Sequence, residues 1–372
     1  MLVRAALLLI GFTAVIAQVV LLRELIVVFS GNEMSLGLAL ASWLLWTAFG
    51  SGVLGRVAAV ARRPRLWMAV LEVLAGLALP LALLLVRASR SIFQAAPGEL
   101  LGPVPMLASS FAALAVFCSV SGWLFAAGVR LYSSEAASET GQAGGAVYLL
   151  EGIGSAIGGL LASFVLLRYL ASFEIAAVLL WLNLLVAACL TLGVRTQARA
   201  LAFGVTSLLL LAALPGIALA VERWSHQKVW RGFRVTETRD SIYGNLTLIQ
   251  TEASASLYEN GVALLDMPNP EAAEEAVHYA LLQHPSPRAV LLIGGGVNGS
   301  AAEVLKHASV ETLDYVELDP AILDMARRHF AREWAPVETD RRVHVHHTDG
   351  RLFVKSGNTK FDVIVLNLPD PQ

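Results

Sequence analysis

Residues 291–300 read LLIGGGVNGS, and this short stretch decides how the carboxyl-terminal part of the chain folds. The apolar run before it is typical of a buried parallel strand, and Gly294, Gly296 and Gly299 have the spacing of a nucleotide-binding turn. Gly294 lets the chain turn off the strand, Gly296 removes a side chain where a ligand approaches, and Gly299 allows close helix packing. Taken alone, the pattern also fits a plain strand-to-helix turn.

The sequence around this turn alternates between strands and helices. The segments are AVLLIGGG, AAEVLKHA, TLDYVELD, PAILDMARRHFA, VHVHHTDG and FDVIVLNLPDP. Such alternation predicts a Rossmann-like, class I methyltransferase-type α/β domain with a parallel sheet over residues 286–372. Because the sequence ends at Gln372, directly after the fourth strand, we expect this domain to be truncated.

Acidic residues follow three of these strands, at the sheet edge where such folds bind ligands. Glu317 ends the second strand, where a carboxylate accepts both hydroxyl hydrogens of a ribose, whereas Asp319 before Pro320 suits a helix N-cap. Asp349, followed by Gly350, is placed to accept a hydrogen bond from an adenine amino group, or forms an ordinary Asp-Gly turn. Asp370 beyond the fourth strand is placed to bind an ammonium group, or caps a turn.

Metal and nucleic-acid binding are not expected. His344, His346 and His347 alternate between the two faces of a strand, and no further ligand pair has zinc-like spacing. The formal net charge of −2 gives no basic surface for nucleic acid. Cys118 and Cys189 lie in apolar segments and indicate neither a disulfide framework nor a metal site.

The composition indicates a membrane protein. Hydrophobic residues make up 56% of the chain and charged residues 15%, and the mean hydropathy is +0.64. We predict about seven helical spans of about 20 residues each. They lie near residues 5–29, 36–56, 66–86, 103–129, 144–168, 173–193 and 200–221. Residues 1–222 are therefore expected to form an integral membrane domain, and the first span is expected to be retained.

Polar residues inside these spans are candidate functional residues, because charges at the centre of a span are costly. Glu72 and Glu151 sit well inside spans, whereas Arg23 and Glu24 suit either an interfacial position or an internal pair. The segment GIGSAIGG around Glu151 supplies small residues for close helix packing. Buried carboxylates also suit a cationic polyamine, so polyamine transport is a further possible role.

Residues 223–285 are predicted to form a small β-hairpin domain followed by a helix. The segment after Gly232 alternates apolar and polar residues, and Tyr-Gly-Asn and Glu-Asn-Gly are turn signals. Pro270–Gln283 is predicted to be helical. Glu222–Gly232 is expected to be an interfacial connector with Trp224 and Trp230 as headgroup anchors.

Several motifs together resemble the polyamine aminopropyltransferases, or spermidine synthases, in particular a bacterial branch that carries a fused multi-span membrane domain. The resemblance rests on GFTAVIAQVVLLREL, SIYGNLTLI, LYENGV, EEAVHYALLQHP, VLLIGGG, DYVELDP, HTDGR and LPDP, in this order. It implies transfer of the aminopropyl group of decarboxylated S-adenosylmethionine to a diamine such as putrescine, which releases methylthioadenosine. No bound cofactor is implied, because the sulfonium nucleoside is a co-substrate.

The resemblance also implies roles for individual residues. Gly294, Gly295 and Gly296 match the glycine turn, and the nucleoside acids are Glu317 for the ribose and Asp349, next to Gly350, for the adenine. The catalytic loop contains Asn367 and Asp370, of which Asp370 matches a polyamine-side acid. Tyr243 and Glu274 match two further substrate-binding positions.

The chain departs from the family pattern on the amine side. Val297 stands where the family has an aspartate that contacts the aminopropyl amine, and Asn367 stands where the family has an aspartate as general base. An amide cannot accept the proton. Ala272 and Ala273 replace Tyr-His before Glu274. Nucleoside recognition is therefore better preserved than amine recognition.

Three functional hypotheses remain open on the sequence alone. The first is a membrane-bound aminopropyltransferase, with polyamine and adenosyl sulfonium substrates, the lipid bilayer as partner and a possible homodimer. The second is a polyamine or cation transporter with an impaired nucleoside-binding sensor domain, and the third is an S-adenosylmethionine-dependent methyltransferase. We expect a multi-pass protein of the cell (inner) membrane with a cytoplasmic carboxyl-terminal domain, although the arginines between Arg56 and Arg65 favour the opposite orientation if all seven spans cross.

Overall fold

The computed structural model describes residues 2–60, 62–95, 99–136, 139–192, 197–250, 254–357 and 359–368. The chain divides into two compact units, Met1–Arg231 and Gly232–Gln372. The predicted regions 223–285 and 286–372 thus pack as one unit. The boundary between units lies after residue 231 rather than after residue 222.

The first unit is helical. Its long helices are α1 (Leu2–Val28), α2 (Glu33–Phe49), α4 (Pro64–Ile92), α5 (Pro103–Ala136), α6 (Thr140–Leu161), α8 (Ser172–Leu192) and α9 (Gln197–Val229). A π-helical segment, Gly50–Leu54, joins α2 to the short α3 (Gly55–Ala59), and another, Ala162–Leu166, joins α6 to the short α7 (Leu167–Tyr169). In the described part of the chain, seven helical segments are long and apolar enough to cross a membrane. Their number and order agree with the seven predicted spans.

Small residues let α1 and α6 pack closely, as the segment GIGSAIGG predicts. A Cβ atom added to Gly154 would overlap the backbone carbonyl of Leu8, and one added to Gly11 would overlap that of Glu151. A glycine at each position therefore allows the two helix backbones to approach each other without a steric clash.

A buried ion-pair network joins three helices of this unit and contacts a fourth through an aromatic ring. Nη2 of Arg87 on α4 lies 2.6 Å from Oε1 of Glu24 on α1 and 2.6 Å from Oε1 of Glu222 on α9. The Arg87 guanidinium also lies 5.1 Å from the ring centroid of Phe173 on α8. Of the two positions open to Glu24, the structure shows the internal pair. Removal of one partner from such a buried pair lowers the stability of the fold by several kcal/mol.

The predicted connector between the two units is largely helical. Helix α9 continues to Val229 because no glycine or proline interrupts the sequence between Glu222 and Gly232. Trp224 is exposed, as an anchor requires, whereas Trp230 is 3% exposed, so the prediction of Trp230 as a headgroup anchor is wrong.

The second unit contains two sheets. Strands β1 (Arg234–Asp240), β2 (Asn245–Gln250), β3 (Ala255–Glu259) and β4 (Val262–Met267) form an antiparallel sheet in the order β1-β2-β3-β4. Asn260 and Gly261 turn the chain from β3 to β4 with positive φ angles of 49° and 82°, as a tight hairpin turn requires. Helix α10 (Pro270–Leu281) follows, where the sequence predicts it.

The second sheet is parallel, as the alternation of strands and helices predicts. Its strands are β5 (Ala289–Ile293), β6 (Thr312–Val316), β7 (Val343–His346) and β8 (Val363–Leu366), in the order β7-β6-β5-β8. The helices of this part are α11 (Ser300–Leu305), α12 (Pro320–His329), α13 (Ala331–Glu338) and α14 (Gly350–Ser356). Because β6 and β8 lie on opposite sides of β5, the strand order reverses at β5. Open α/β sheets bind their ligands at such a switch point.

Candidate functional site

The glycine turn lies directly after β5, at the point where the strand order reverses. Gly294, Gly295 and Gly299 have φ angles of +72°, +64° and +108°, which residues with a side chain rarely adopt. The amide of Gly294 donates to the carbonyl of Val316, which fixes the turn against the neighbouring strand. Residues Gly296–Asn298 form a short 3₁₀-helix, and α11 begins only at Ser300.

The space beside Gly296 is taken by protein and not by a ligand. A Cβ atom added there would lie 2.5 Å from Cζ of Tyr315, so the Tyr315 ring packs against the turn. The predicted reason for Gly296 is therefore wrong: the residue makes room for a tyrosine. The predicted packing role of Gly299 is supported, because an added Cβ would lie 3.1 Å from Cβ of Ala273 on α10.

Glu317 lies at the centre of the site and has Tyr315 as its partner. The Tyr315 hydroxyl donates to Oε2 of Glu317 at 2.7 Å, and Glu317 is only 8% exposed. Burial raises the pKa of the Glu317 carboxyl above its ordinary range, although hydrogen bonds from Tyr315 and from backbone amides lower it. Sequence reasoning missed Tyr315, yet its position two residues before Glu317 puts both side chains on one face of the strand.

A further acid, Glu259 at the end of β3, also belongs to this part of the unit. Burial raises the pKa of its carboxyl, and the negative charges of Asp319 and Glu317 raise it further. Asp319 caps α12 as predicted, since its Oδ1 accepts from the amide of Ala321 at 2.9 Å. Three carboxyl groups near one another favour a cationic ligand.

Two cavities meet at Glu317. The larger cavity has a volume of about 670 Å³. It is lined by Ile293, Gly294, Val316, Glu317, Leu318, Thr348, Asp349, Gly350, Arg351, Val354, Lys355, Leu366 and Leu368. The smaller cavity has a volume of about 300 Å³ and is lined by Val262, Ala263, Leu264, Leu265, Gly295, Val297, Asn298, Tyr315, Glu317, Ile322, Asn367 and Leu368. Both cavities are lined by Glu317 and Leu368, so they adjoin.

Asp349 caps a helix and also lines a cavity. Its Oδ1 accepts from the amide of Leu352 at 3.0 Å and so caps α14, as the turn interpretation requires. Its side chain is 43% exposed and also lines the larger cavity. The neighbouring Gly350 is required by packing, because an added Cβ would lie 2.6 Å from Cγ2 of Ile293.

Asn367 lines the smaller cavity and is held there by hydrogen bonds. Its Nδ2 donates to Oγ of Ser300 at 2.8 Å, and that hydroxyl donates to Oδ1 of Asn298 at 2.8 Å. Val297 is 3% exposed and adds an apolar side chain to the lining. Sequence reasoning missed Ser300, because its link to Asn367 joins positions far apart in the chain. The predicted residue Asp370 lies outside the described residues.

Two predicted binding residues are not brought to these cavities. Tyr243 is exposed in the turn between β1 and β2, where its amide donates to Oγ of Ser241. Glu274 is exposed on α10, and its negative charge contributes to raising the pKa of Lys306. Neither residue lines either cavity as the structure stands.

The predicted membrane carboxyls, Glu72 and Glu151, belong to the first unit. Glu72 on α4 is fully buried, and in the described part of the chain neither of its carboxyl oxygens has a hydrogen-bond partner. Glu151 on α6 is partly exposed. Among the residues that the structure describes, no three His, Cys, Asp or Glu side chains are grouped as a metal site requires.

Comparison with known proteins identifies a conserved domain in the second unit. Residues 271–372 match the family model described as spermine/spermidine synthase domain. A polyamine aminopropyltransferase of Leptospira biflexa is 32% identical over 144 residues, which cover 37% of this chain and 51% of that protein. A polyamine aminopropyltransferase of Methanocaldococcus jannaschii is 40% identical over 94 residues, which cover 25% of this chain and 32% of that protein.

A solved structure also matches part of the chain. It is a crystal structure of spermidine synthase in complex with the transition state analogue AdoDATO, with 27% sequence identity and a TM-score of 0.35. The match covers 37% of this chain and 47% of that one. The present chain thus spans about half the length, or less, of the relatives it matches.

Proposed function

We propose that this chain, whose residues 271–372 match the family model described as spermine/spermidine synthase domain, is a membrane-bound aminopropyltransferase. It transfers the aminopropyl group of decarboxylated S-adenosylmethionine to putrescine or a related amine. The observation that carries the proposal is the pair of adjoining cavities that share Glu317, because the reaction requires a nucleoside and an amine side by side.

The larger cavity accommodates the adenosyl group in this proposal. Glu317 at the end of β6 accepts hydrogen bonds from the ribose hydroxyls, and Asp349 accepts one from the adenine amino group. Gly294 also lines this cavity, and the space that a Cβ atom would fill there is taken by the Leu368 side chain, which lines the same cavity. The apolar lining from Ile293, Val354 and Leu366 packs on the adenine ring.

The smaller cavity holds the aminopropyl group and the acceptor amine. The amine nitrogen attacks the carbon next to the sulfonium, the carbon–sulfur bond breaks, and methylthioadenosine leaves as a neutral thioether. The sulfonium and the amines are cations, and the carboxyl groups of Glu259, Glu317 and Asp319 provide the matching negative potential. We assign the distant ammonium of the acceptor to Asp370.

The acceptor amine must react as the free base, so its ammonium form first gives one proton to water, and the new amine is formed as an ammonium ion. Asn367 cannot accept this proton because an amide has no basic site of suitable pKa. The hydrogen bonds from Asn367 to Ser300 and from Ser300 to Asn298 instead fix the wall of the smaller cavity. In this role Asn367 positions the acceptor, and the rate depends mainly on the alignment of the two substrates.

The first unit anchors the enzyme in the lipid bilayer. The seven long apolar helices support this assignment, since each is long enough to cross a hydrocarbon core of about 30 Å. We place the second unit in the cytoplasm, because the adenosyl sulfonium substrate is an intracellular compound.

Product analysis with the full-length protein tests the proposed reaction. Incubation with decarboxylated S-adenosylmethionine and putrescine is expected to give methylthioadenosine and a longer amine. Adenosylhomocysteine from S-adenosylmethionine, or binding of the nucleoside with no product, would show that the proposal is wrong.

A further inference from the structure

A separate cavity lies at one end of the helical unit, between the segment that follows α2 and helix α5. Its volume is about 570 Å³, which is in the range of small-ligand sites. The π-helical segment contributes Ser51 and Gly52 to its lining, and Arg56 on α3, Arg130 on α5 and Thr140 at the start of α6 line it as well. π-Helical segments are frequent at functional sites.

Neither arginine of this cavity has an ion-pair partner among the residues that the structure describes. In the part of the chain that the structure describes, neither Arg56 nor Arg130 forms an ion pair or a side-chain hydrogen bond. Both side chains are exposed and line the same cavity. Two guanidinium groups at one cavity repel each other unless an anion lies between them.

A neighbouring cavity at the same end of the unit contains a paired arginine. It is lined by Arg63, Arg65 and Glu135, and here Nε of Arg65 lies 2.6 Å from Oε1 of Glu135. Among the described residues, Arg63 of this cavity has no ion pair, so the lack of a partner alone does not mark the Arg56 and Arg130 cavity. What distinguishes that cavity is that two arginines without an ion pair line it together.

The surroundings of the cavity suit a lipid. Phe125, Ala126 and Val129 add apolar lining beside the arginines. Val53 and Val57, on the segments that carry Gly52 and Arg56, are 50% and 44% exposed. A phosphate held by the arginines and acyl chains laid along these side chains match a phospholipid in both of its parts.

We propose that Arg56 and Arg130 form a binding site for a phosphate-bearing anion, with the headgroup of an anionic phospholipid as the form that the apolar rim selects. The guanidinium groups donate charge-assisted hydrogen bonds to the phosphate oxygens, and the hydroxyl of Thr140 adds a donor. This site is distinct from the two cavities of the second unit and does not depend on the reaction proposed there.

Lipid retention by the full-length protein tests this site. Native mass spectrometry would measure binding of phosphatidylglycerol and of phosphatidylcholine to the wild type and to variants Arg56→Gln, Arg130→Gln and the double variant. Each arginine near a membrane surface contributes about a fivefold gain in affinity for an anionic lipid, so we expect losses of about fivefold for each single variant and about thirtyfold for the double variant. Phosphatidylcholine binding should not change.

Two further variants make the test specific. Arg65→Gln removes the paired arginine at the same end of the unit and should leave lipid retention unchanged. Gly52→Leu fills the cavity without removing a charge, and a Cβ atom added at Gly52 meets nothing within 4 Å, so this variant is expected to fold and to lose the lipid. It also keeps the proposal testable if the double arginine variant fails to fold.

A second experiment distinguishes free inorganic phosphate from the phosphate of a lipid headgroup. In phosphatidylcholine nanodiscs, inorganic phosphate is titrated while the thermal unfolding temperature is measured. Stabilisation that the double variant loses would identify free phosphate as a ligand of the same site. Unchanged binding of both probes in the double variant, an equal loss in Arg65→Gln, or no binding of either probe by the wild type would overturn the proposal.

Discussion

At the scale of single residues, the proposed reaction depends most on Glu317, because this residue lines both cavities of the second unit. We expect Glu317→Gln to weaken methylthioadenosine binding by about tenfold to a hundredfold, because hydrogen bonds to a charged group contribute about 1.5–3 kcal/mol each. Isothermal titration calorimetry measures this change. The variant Glu311→Gln, at an exposed carboxyl beside Arg288, is the matched control.

The same residue predicts how nucleoside binding depends on pH. The ribose hydroxyls donate to the ionised carboxyl, and burial raises the pKa of Glu317. Affinity should therefore be full above this raised pKa and should fall as the pH drops through it, at a higher pH than for an exposed glutamate with a pKa of about 4.3. Titrations of the wild type across pH should show this loss, whereas Glu317→Gln should give a flat profile. Equal pH profiles for the wild type and Glu317→Gln would refute the assignment of Glu317 to the ribose hydroxyls.

A third residue-scale prediction concerns Asn367. Replacing it by aspartate places a carboxylate at the wall of the smaller cavity, where it can accept the proton of the attacking amine. General-base catalysis contributes about a hundredfold or more, so we expect Asn367→Asp to raise kcat by an amount of this order. Single-turnover measurement of methylthioadenosine release checks it. If the folded variant shows no increase in kcat, the assignment of Asn367 to the position of the general base is wrong.

Residues also show where sequence reasoning reached its limit. The capping role of Asp319 follows from local chemistry, because its oxygen bonds to an amide two residues away. The contact between Gly296 and the Tyr315 ring and the bond from Asn367 to Ser300 join different elements. No local pattern encodes them, since they exist only once the strands are side by side.

At the scale of elements, the helix pair α1 and α6 offers a clean test of packing. Gly154 contacts the backbone of α1 so closely that any side chain must push the helices apart, whereas a Cβ atom on Gly152 of the same helix meets nothing within 4 Å. We expect Gly154→Leu to lower the unfolding temperature in detergent and Gly152→Leu to be tolerated. Equal behaviour of the two variants would contradict the close approach.

The elements were largely predictable because their signals repeat along the chain. Hydropathy predicts the seven long helices, and the alternation of apolar runs with helical segments predicts the parallel sheet. The connector after Glu222 is helical as far as Val229, because nothing in its sequence stops a helix. The network in which Arg87 pairs with both Glu24 and Glu222 joins α1, α4 and α9 and has no signature in any one of them.

At the scale of the whole molecule, the orientation in the membrane is the main prediction. We expect Lys360→Cys, an exposed position of the second unit, to be inaccessible to a membrane-impermeant maleimide in intact cells and to react after permeabilisation. The native Cys118 and Cys189 lie in apolar helices and serve as the background. Labelling of Lys360→Cys in intact cells would place the second unit outside, as the arginine-rich segment between Arg56 and Arg65 favours.

In the proposed reaction, the second unit brings an adenosyl sulfonium and an amine together for aminopropyl transfer. The most direct test of this reaction is the yield of methylthioadenosine from the full-length protein with decarboxylated S-adenosylmethionine and putrescine, with Glu317→Gln measured in parallel. We predict one methylthioadenosine for each longer amine formed by the wild type, and a lower rate for the variant. Methylthioadenosine formation that does not exceed that of a protein-free control, or adenosylhomocysteine formed from S-adenosylmethionine, would contradict it.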